Sequence, residues 1–135
     1  MNNQLELVRD CETLISFVLA SQRSWWFHKK FKVPILQTPR AEIGDRAELR
    51  FNLIKEEVEE YIEGVKQRDI ENIAKELCDI LYCVYGTILE HGLQDVIGEV
   101  FEEVHKSQMS KSYSQKKMIK GDDYREAEVS NFFKK

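Results

Sequence analysis

Apolar positions recur with helical spacing along most of the chain. From Leu5 to about Phe27, Leu7, Cys11, Leu14, Ile15, Val18 and Leu19 mark one face, the period of an amphipathic helix. The stretch SWWFHKKFKVPILQTPR then gathers aromatic and basic groups and holds both prolines, Pro34 and Pro39. It predicts a helix end and an extended loop, and loops of this length inside a domain are often functional. A second helical pattern runs from about Gly44 to about Lys66, and QRD makes the turn. Asp69 is placed to N-cap the next helix, which ends near His91 with Gly92 as its terminator. A last helix begins near Leu93, its stripe formed by Leu93, Ile97, Val100, Phe101 and Val104. Residues 110–135 are polar and basic, with a Gly-Asp turn, and predict a mostly irregular tail. The whole is expected to be all-α, an antiparallel helical bundle forming one domain over residues 1–135.

Acids interrupt the apolar faces at particular places. At about 100° per residue, Leu53, Ile54, Val58, Tyr61, Ile62 and Val65 share an arc that also contains Glu57. Glu60 falls between Leu49 and Leu53, Glu56 borders the arc, and Glu59 and Glu63 face away. In the following helix ILYCVYGTIL is apolar nearly all round, which predicts burial on most sides. Glu76 and Asp79 share a face there, continued by Cys83 and by Gly86, whose small size leaves room beside it. With Arg68 as the centre of the turn, Glu60 and Glu76 each lie eight positions away, and Glu57 and Asp79 eleven. In an antiparallel hairpin such pairs sit level, so four carboxylates converge.

Two like charges about 4 Å apart repel by roughly 4 kcal/mol at an effective dielectric near 20. The cluster therefore needs held protons or a cation. Oxygen donors without matching His or Cys suit a hard ion, Mg²⁺ or Mn²⁺, rather than zinc. Mg²⁺ commonly shares its shell with phosphate oxygens, which points to a phosphate-bearing substrate.

Composition narrows the setting. With 135 residues, 42% apolar and 33% charged, the chain suits a folded soluble domain. A net charge of -4 gives no ground for a non-specific grip on polymeric nucleic acid or anionic membrane. No stretch is apolar enough to span a bilayer, and the N-terminus lacks a signal-peptide layout. Cys11, Cys78 and Cys83 show no paired metal-ligand spacing; Cys78 and Cys83 are expected to pack as small hydrophobes, which favours a reducing cytoplasm.

EEVEE holds an E-E-x-x-E motif (Glu56, Glu57, Glu60), followed by E-x-x-D (Glu76, Asp79). With FHKKFKVPILQTP, HKSQMSKS and MIKGDDY, the chain resembles the all-α nucleoside triphosphate pyrophosphohydrolases over most of its length. Within that MazG-like superfamily it is similar to the phosphoribosyl-ATP pyrophosphohydrolase-like branch. Gln108 stands where the branch usually carries Asn, and Tyr82-Cys83 where the histidine-pathway enzymes have Tyr-His. The resemblance implies hydrolysis of a (deoxy)nucleoside triphosphate to the monophosphate and pyrophosphate, non-standard nucleotides included. It implies Mg²⁺, or Mn²⁺, on Glu57, Glu60, Glu76 and Asp79, with Glu56 and Glu57 as catalytic acids, Glu56 orienting or deprotonating water. Lys111 and Lys120 would face the pyrophosphate, with Gln108, Tyr124 and His28 as further substrate contacts. Trp25, Trp26 or Tyr124 would stack on the base, and the chain would form a homodimer or larger homo-oligomer. The alternative is a non-catalytic helical interaction domain with a vestigial metal site. A di-metal oxidase would need Glu-x-x-His on two helices, and only Glu102 and His105 show that spacing.

Overall fold

The computed structural model describes residues 19–134. Most of the first predicted helix, with Leu7, Cys11, Leu14, Ile15 and Val18, lies outside the described residues. Helix α1 covers residues 19–31 and so runs past its expected end at Phe27. Nothing between Trp25 and Phe31 breaks a helix; the chain leaves it at Lys32, whose φ of 56° is left-handed, just ahead of Pro34. The Phe-His segment is therefore helical, and the extended loop begins only afterwards.

Helix α2 spans Arg46–Gln67 and helix α3 spans Ile70–Glu90. Arg68 takes the left-handed conformation between them, and its N–H and that of Asp69 return to Val65 O and Gly64 O at 3.1 and 3.0 Å. That closes α2 by the usual helix-stop geometry. Asp69 then accepts a hydrogen bond from Asn72 N at 3.0 Å, the N-cap expected from sequence. The two helices approach closely here, since a Cβ on Gly64 would lie 3.0 Å from Asn72 Nδ2 and 3.3 Å from Ile73 Cγ1. Further along, Arg50 reaches Thr87 and Cys83, and Arg46 reaches Glu90. The hairpin is antiparallel with its register set at Arg68.

Away from the turn, the hairpin is locked by buried charge. Glu90 is 1% exposed and takes Arg46 Nε and Nη2 at 2.8 and 2.6 Å, with Arg50 Nη1 at 3.4 Å. Arg50 also donates to Cys83 O at 2.6 Å and to Thr87 Oγ1 at 3.0 Å. His28, from α1, is buried beside them, its Nδ1 3.1 Å from Pro34 O. The space that Gly86 leaves is occupied: an added Cβ would come within 2.5 Å of Arg50 Nη2 and 2.8 Å of His28 Nε2. Loop 32–45 is tied to the end of α3 by Leu36 N to Leu89 O and Arg40 N to His91 O, at 3.0 and 2.9 Å.

Coverage of the apolar arc is lighter than the pattern predicts. Val58, Ile62 and Val65 on α2, and Leu77 and Leu81 on α3, are each more than a third exposed. Antiparallel pairing covers one flank of each helix and leaves these side chains beside it. Cys78 is exposed and only Cys83 is partly covered, so the expected packing holds for Cys83 alone.

The chain forms two compact units, divided after Gly92. In the second, helix α4 spans Ile97–Met109, four residues later than expected because Leu93–Val96 form a turn closed by Val96 N to Leu93 O at 3.0 Å. Strands β1 (Ser112–Ser114) and β2 (Lys117–Ile119) pair antiparallel around Gln115 and Lys116, both at positive φ. A 3₁₀ turn covers Ser130–Phe133. The tail is thus mostly irregular but carries a hairpin. Arg125 ties it to α4 through Glu103 at 2.6 Å and through Ser107 Oγ and Ser110 Oγ at 2.7 and 2.8 Å.

Candidate active site

The hairpin register brings Glu57 on α2 together with Glu76 and Asp79 on α3. One carboxylate oxygen from each lies within 4.8 Å of the others. Glu76 is the buried member, 2% exposed, and its Oε2 has no hydrogen-bond partner among the described residues. An unsatisfied buried carboxylate oxygen is costly to a fold. Glu60 stands outside this trio and is exposed. It still feels the group, for the charge on Glu76 is the first cause holding its carboxyl above the usual range. Burial, then the carboxylate of Glu76, raises Glu57. Glu56 is exposed beside the trio in sequence, and Glu59 is solvated and pairs with Lys55 at 3.7 Å.

The residues fit a hard divalent ion. Neighbouring oxygens around Mg²⁺ at about 2.1 Å stand about 3 Å apart and opposite ones about 4.2 Å, so side-chain rotations that close the gaps by about 1–2 Å would bring the trio onto one ion. The donors are all oxygen, and Glu76 Oε2 is a buried acceptor without a hydrogen-bond partner among the described residues. One cation already attends the acids, and the sequence reading passed over it. Lys75 Nζ lies 2.9 Å from Glu76 Oε1 and 2.8 Å from Asp79 Oδ2, contacts that hold its amine above the ordinary lysine range. The i,i+4 spacing to Asp79 was its only signal.

Other predicted site residues are placed differently. His28 is sealed in the first unit, and burial pushes its pKa down. In the second unit Lys111 Nζ bonds Gln108 Oε1 at 2.7 Å. Lys120 bonds Glu126 at 2.6 Å and lies over the Tyr124 ring at 4.7 Å. Trp25 and Trp26 pack edge to face at 4.9 Å, with Trp26 mostly exposed. Arg46, Arg50 and Glu90 were also missed; Arg46 and Arg50 lie one turn apart on α2, and Glu90 closes an apolar run. Arg46 and Glu90 border a cavity of about 310 Å³ lined also by Arg40 and Glu42. It lies about 16 Å along α3 from Asp79, at 1.5 Å per residue, and is separate from the acids.

An all-helical scaffold on which two antiparallel helices converge carboxylates is the class of structure expected for a nucleotide pyrophosphohydrolase. Residues 26–108, more than half the chain, match the phosphoribosyl-ATP pyrophosphohydrolase family, and the chain belongs to that family. With it the chain joins the all-α nucleoside triphosphate pyrophosphohydrolase superfamily, MazG-like, whose members cleave phosphoanhydride bonds. The matched span takes in His28 and the acids of α2 and α3, and stops before Lys111, Lys120 and Tyr124. Comparison with curated proteins returned no match.

Proposed function

We propose that the chain hydrolyses a (deoxy)nucleoside triphosphate or related nucleotide between its α and β phosphates, non-standard nucleotides included. The products are the monophosphate and pyrophosphate. The observation that carries this reading is the trio Glu57, Glu76 and Asp79 with its buried, unpartnered Glu76 oxygen, in a chain of a pyrophosphohydrolase family. These three, with Glu60 alongside, would hold Mg²⁺ or Mn²⁺. Such an ion supplies charge for phosphate oxygens and lowers the pKa of bound water. Glu56, exposed at the margin, orients the attacking water and accepts its proton. Lys111 and Lys120 offer positive charge to the leaving pyrophosphate, and do so by exchanging Gln108 and Glu126 for phosphate oxygens. Gln108 and Tyr124 contact the nucleotide beside them. His28 acts from behind, holding the α1 end to Pro34 rather than touching substrate.

The exposed Val58, Ile62, Val65, Leu77 and Leu81 suit a second copy of the chain, so the working form is a homodimer or larger homo-oligomer. Free Cys78 and Cys83 accord with a reducing cytoplasm. The test is pyrophosphate release across a panel of common and modified (d)NTPs, with and without Mg²⁺. Metal-dependent release that Asp79→Asn abolishes, with the fold intact by circular dichroism, is the expected result. No release from any nucleotide would favour the non-catalytic interaction domain.

A further inference from the structure

Lys75 is poorly explained as a helix-stabilising residue. Neighbours in sequence point about 100° apart on a helix and do not face each other, yet Lys75 Nζ reaches back to Glu76 Oε1 at 2.9 Å. Its other contact, to Asp79 at 2.8 Å, runs from a cation to an acid four residues later, the less favourable order for an i,i+4 pair. What the ammonium does gain is the shared field of two of the three clustered carboxylates. The outlying Glu60 adds to that field. Lys75 itself is 61% exposed, so its head can leave for solvent by rotating its own side chain.

From this geometry we infer that Lys75 is a built-in competitor for the metal site: its ammonium and a divalent ion draw on the same two carboxylates, those of Glu76 and Asp79, and the ion binds by displacing it. The inference rests on the metal reading above and deepens it. In the metal-free protein Lys75 limits repulsion within the acids. Its displacement weakens metal binding, and it leaves a mobile cation at the edge of a site that takes phosphate. The lysine therefore sets the threshold of free ion at which the site fills.

The experiment measures Mn²⁺ binding to the full chain, by calorimetry and by loss of the free-ion electron paramagnetic resonance signal, for wild type, Lys75→Gln and Lys75→Met. Lys55→Gln is the control for net charge, because Lys55 is similarly exposed but pairs with Glu59 on α2. Glu76→Gln is the control for the site itself. Removing an exposed ion-paired competitor should tighten Mn²⁺ binding roughly three- to tenfold, with Lys55→Gln near wild type. Both Lys75 variants should melt lower than wild type without metal and gain more from saturating Mn²⁺. If wild type binds, Glu76→Gln does not, and the Lys75 variants bind no tighter than wild type, the competitor role is overturned while the metal site stands. Equal tightening by Lys55→Gln also overturns it, as a net-charge effect. Absence of binding in every variant, wild type included, overturns both.

Discussion

Replacing Glu57 by Gln should make the metal-free protein more stable, although it removes a side chain from the centre of the candidate site. The carboxylate oxygens of Glu57, Glu76 and Asp79 lie within 4.8 Å of one another. At that distance each like-charge pair costs about 3.5 kcal/mol at an effective dielectric of 20 and about 0.9 kcal/mol in bulk water. Glu57 is partly exposed, and Lys75 neutralises part of the charge on both of its neighbours. A net relief of about 1–2 kcal/mol is therefore expected, well below the low-dielectric sum. For a chain of this size that raises the melting temperature by roughly 3–8 °C. The assay is thermal unfolding followed by circular dichroism at neutral pH in chelator, then with Mn²⁺ in excess. Mn²⁺ at about a hundred times its dissociation constant would stabilise the wild type by about 2.7 kcal/mol, so the order of the two proteins reverses. A Glu57→Gln variant that melts at or below wild type in chelator would refute the reasoning, because the acids would then not be repelling one another.

The same acids predict a pH response. The carboxyls of Glu57 and Glu60 sit above the usual range, Glu57 chiefly through burial and Glu60 chiefly through the charge on Glu76. Each thus favours the folded chain when protonated and loses that contribution as pH rises through its elevated value. Melting of the metal-free protein should improve on moving from neutral to mildly acidic pH, and Glu57→Gln should flatten the gain. Lower still the trend reverses, as Glu103 and Glu126, held below the usual range by Arg125 and Lys120, become protonated and release those partners. Gly86→Ala drives a Cβ to 2.5 Å from Arg50 Nη2 and should lower stability by about 1–3 kcal/mol, read as a urea midpoint; an unchanged midpoint would show that the Arg50 network yields freely. Glu59→Gln should change stability by less than about 0.5 kcal/mol and leave pyrophosphate release at the wild-type rate.

Helices α2 and α3 and their turn were legible because local chemistry states them: the polar Gln67-Arg68-Asp69 break, the Asp69 cap and Gly92 after the last turn. Level placement of Glu57 with Asp79 followed from counting outward from that turn. What counting could not supply was reach. Glu60 and Glu76 are equidistant from Arg68, yet only Glu76 is buried, because inward tilt depends on how the helices pack and not on sequence separation. His28 was misread as a loop residue because the helix stop lies at Lys32 rather than at Phe27. Lys75 and the Arg46–Glu90 pair were invisible for a shared reason. Long charged side chains travel several ångströms from their Cα, and a helical projection records only where they start.

Loop 32–45 carries little regular secondary structure, yet its backbone is not loose. Leu36 and Arg40 donate to Leu89 O and His91 O, Arg40 O meets His91 Nδ1 at 2.7 Å, and a side chain on Gly92 would collide with Thr38 O. The segment works as a clasp around the end of α3. Amide protons of Leu36 and Arg40 should consequently exchange with deuterium as slowly as those of the helix they grip. A protease that prefers open coil would find its footing elsewhere on the chain.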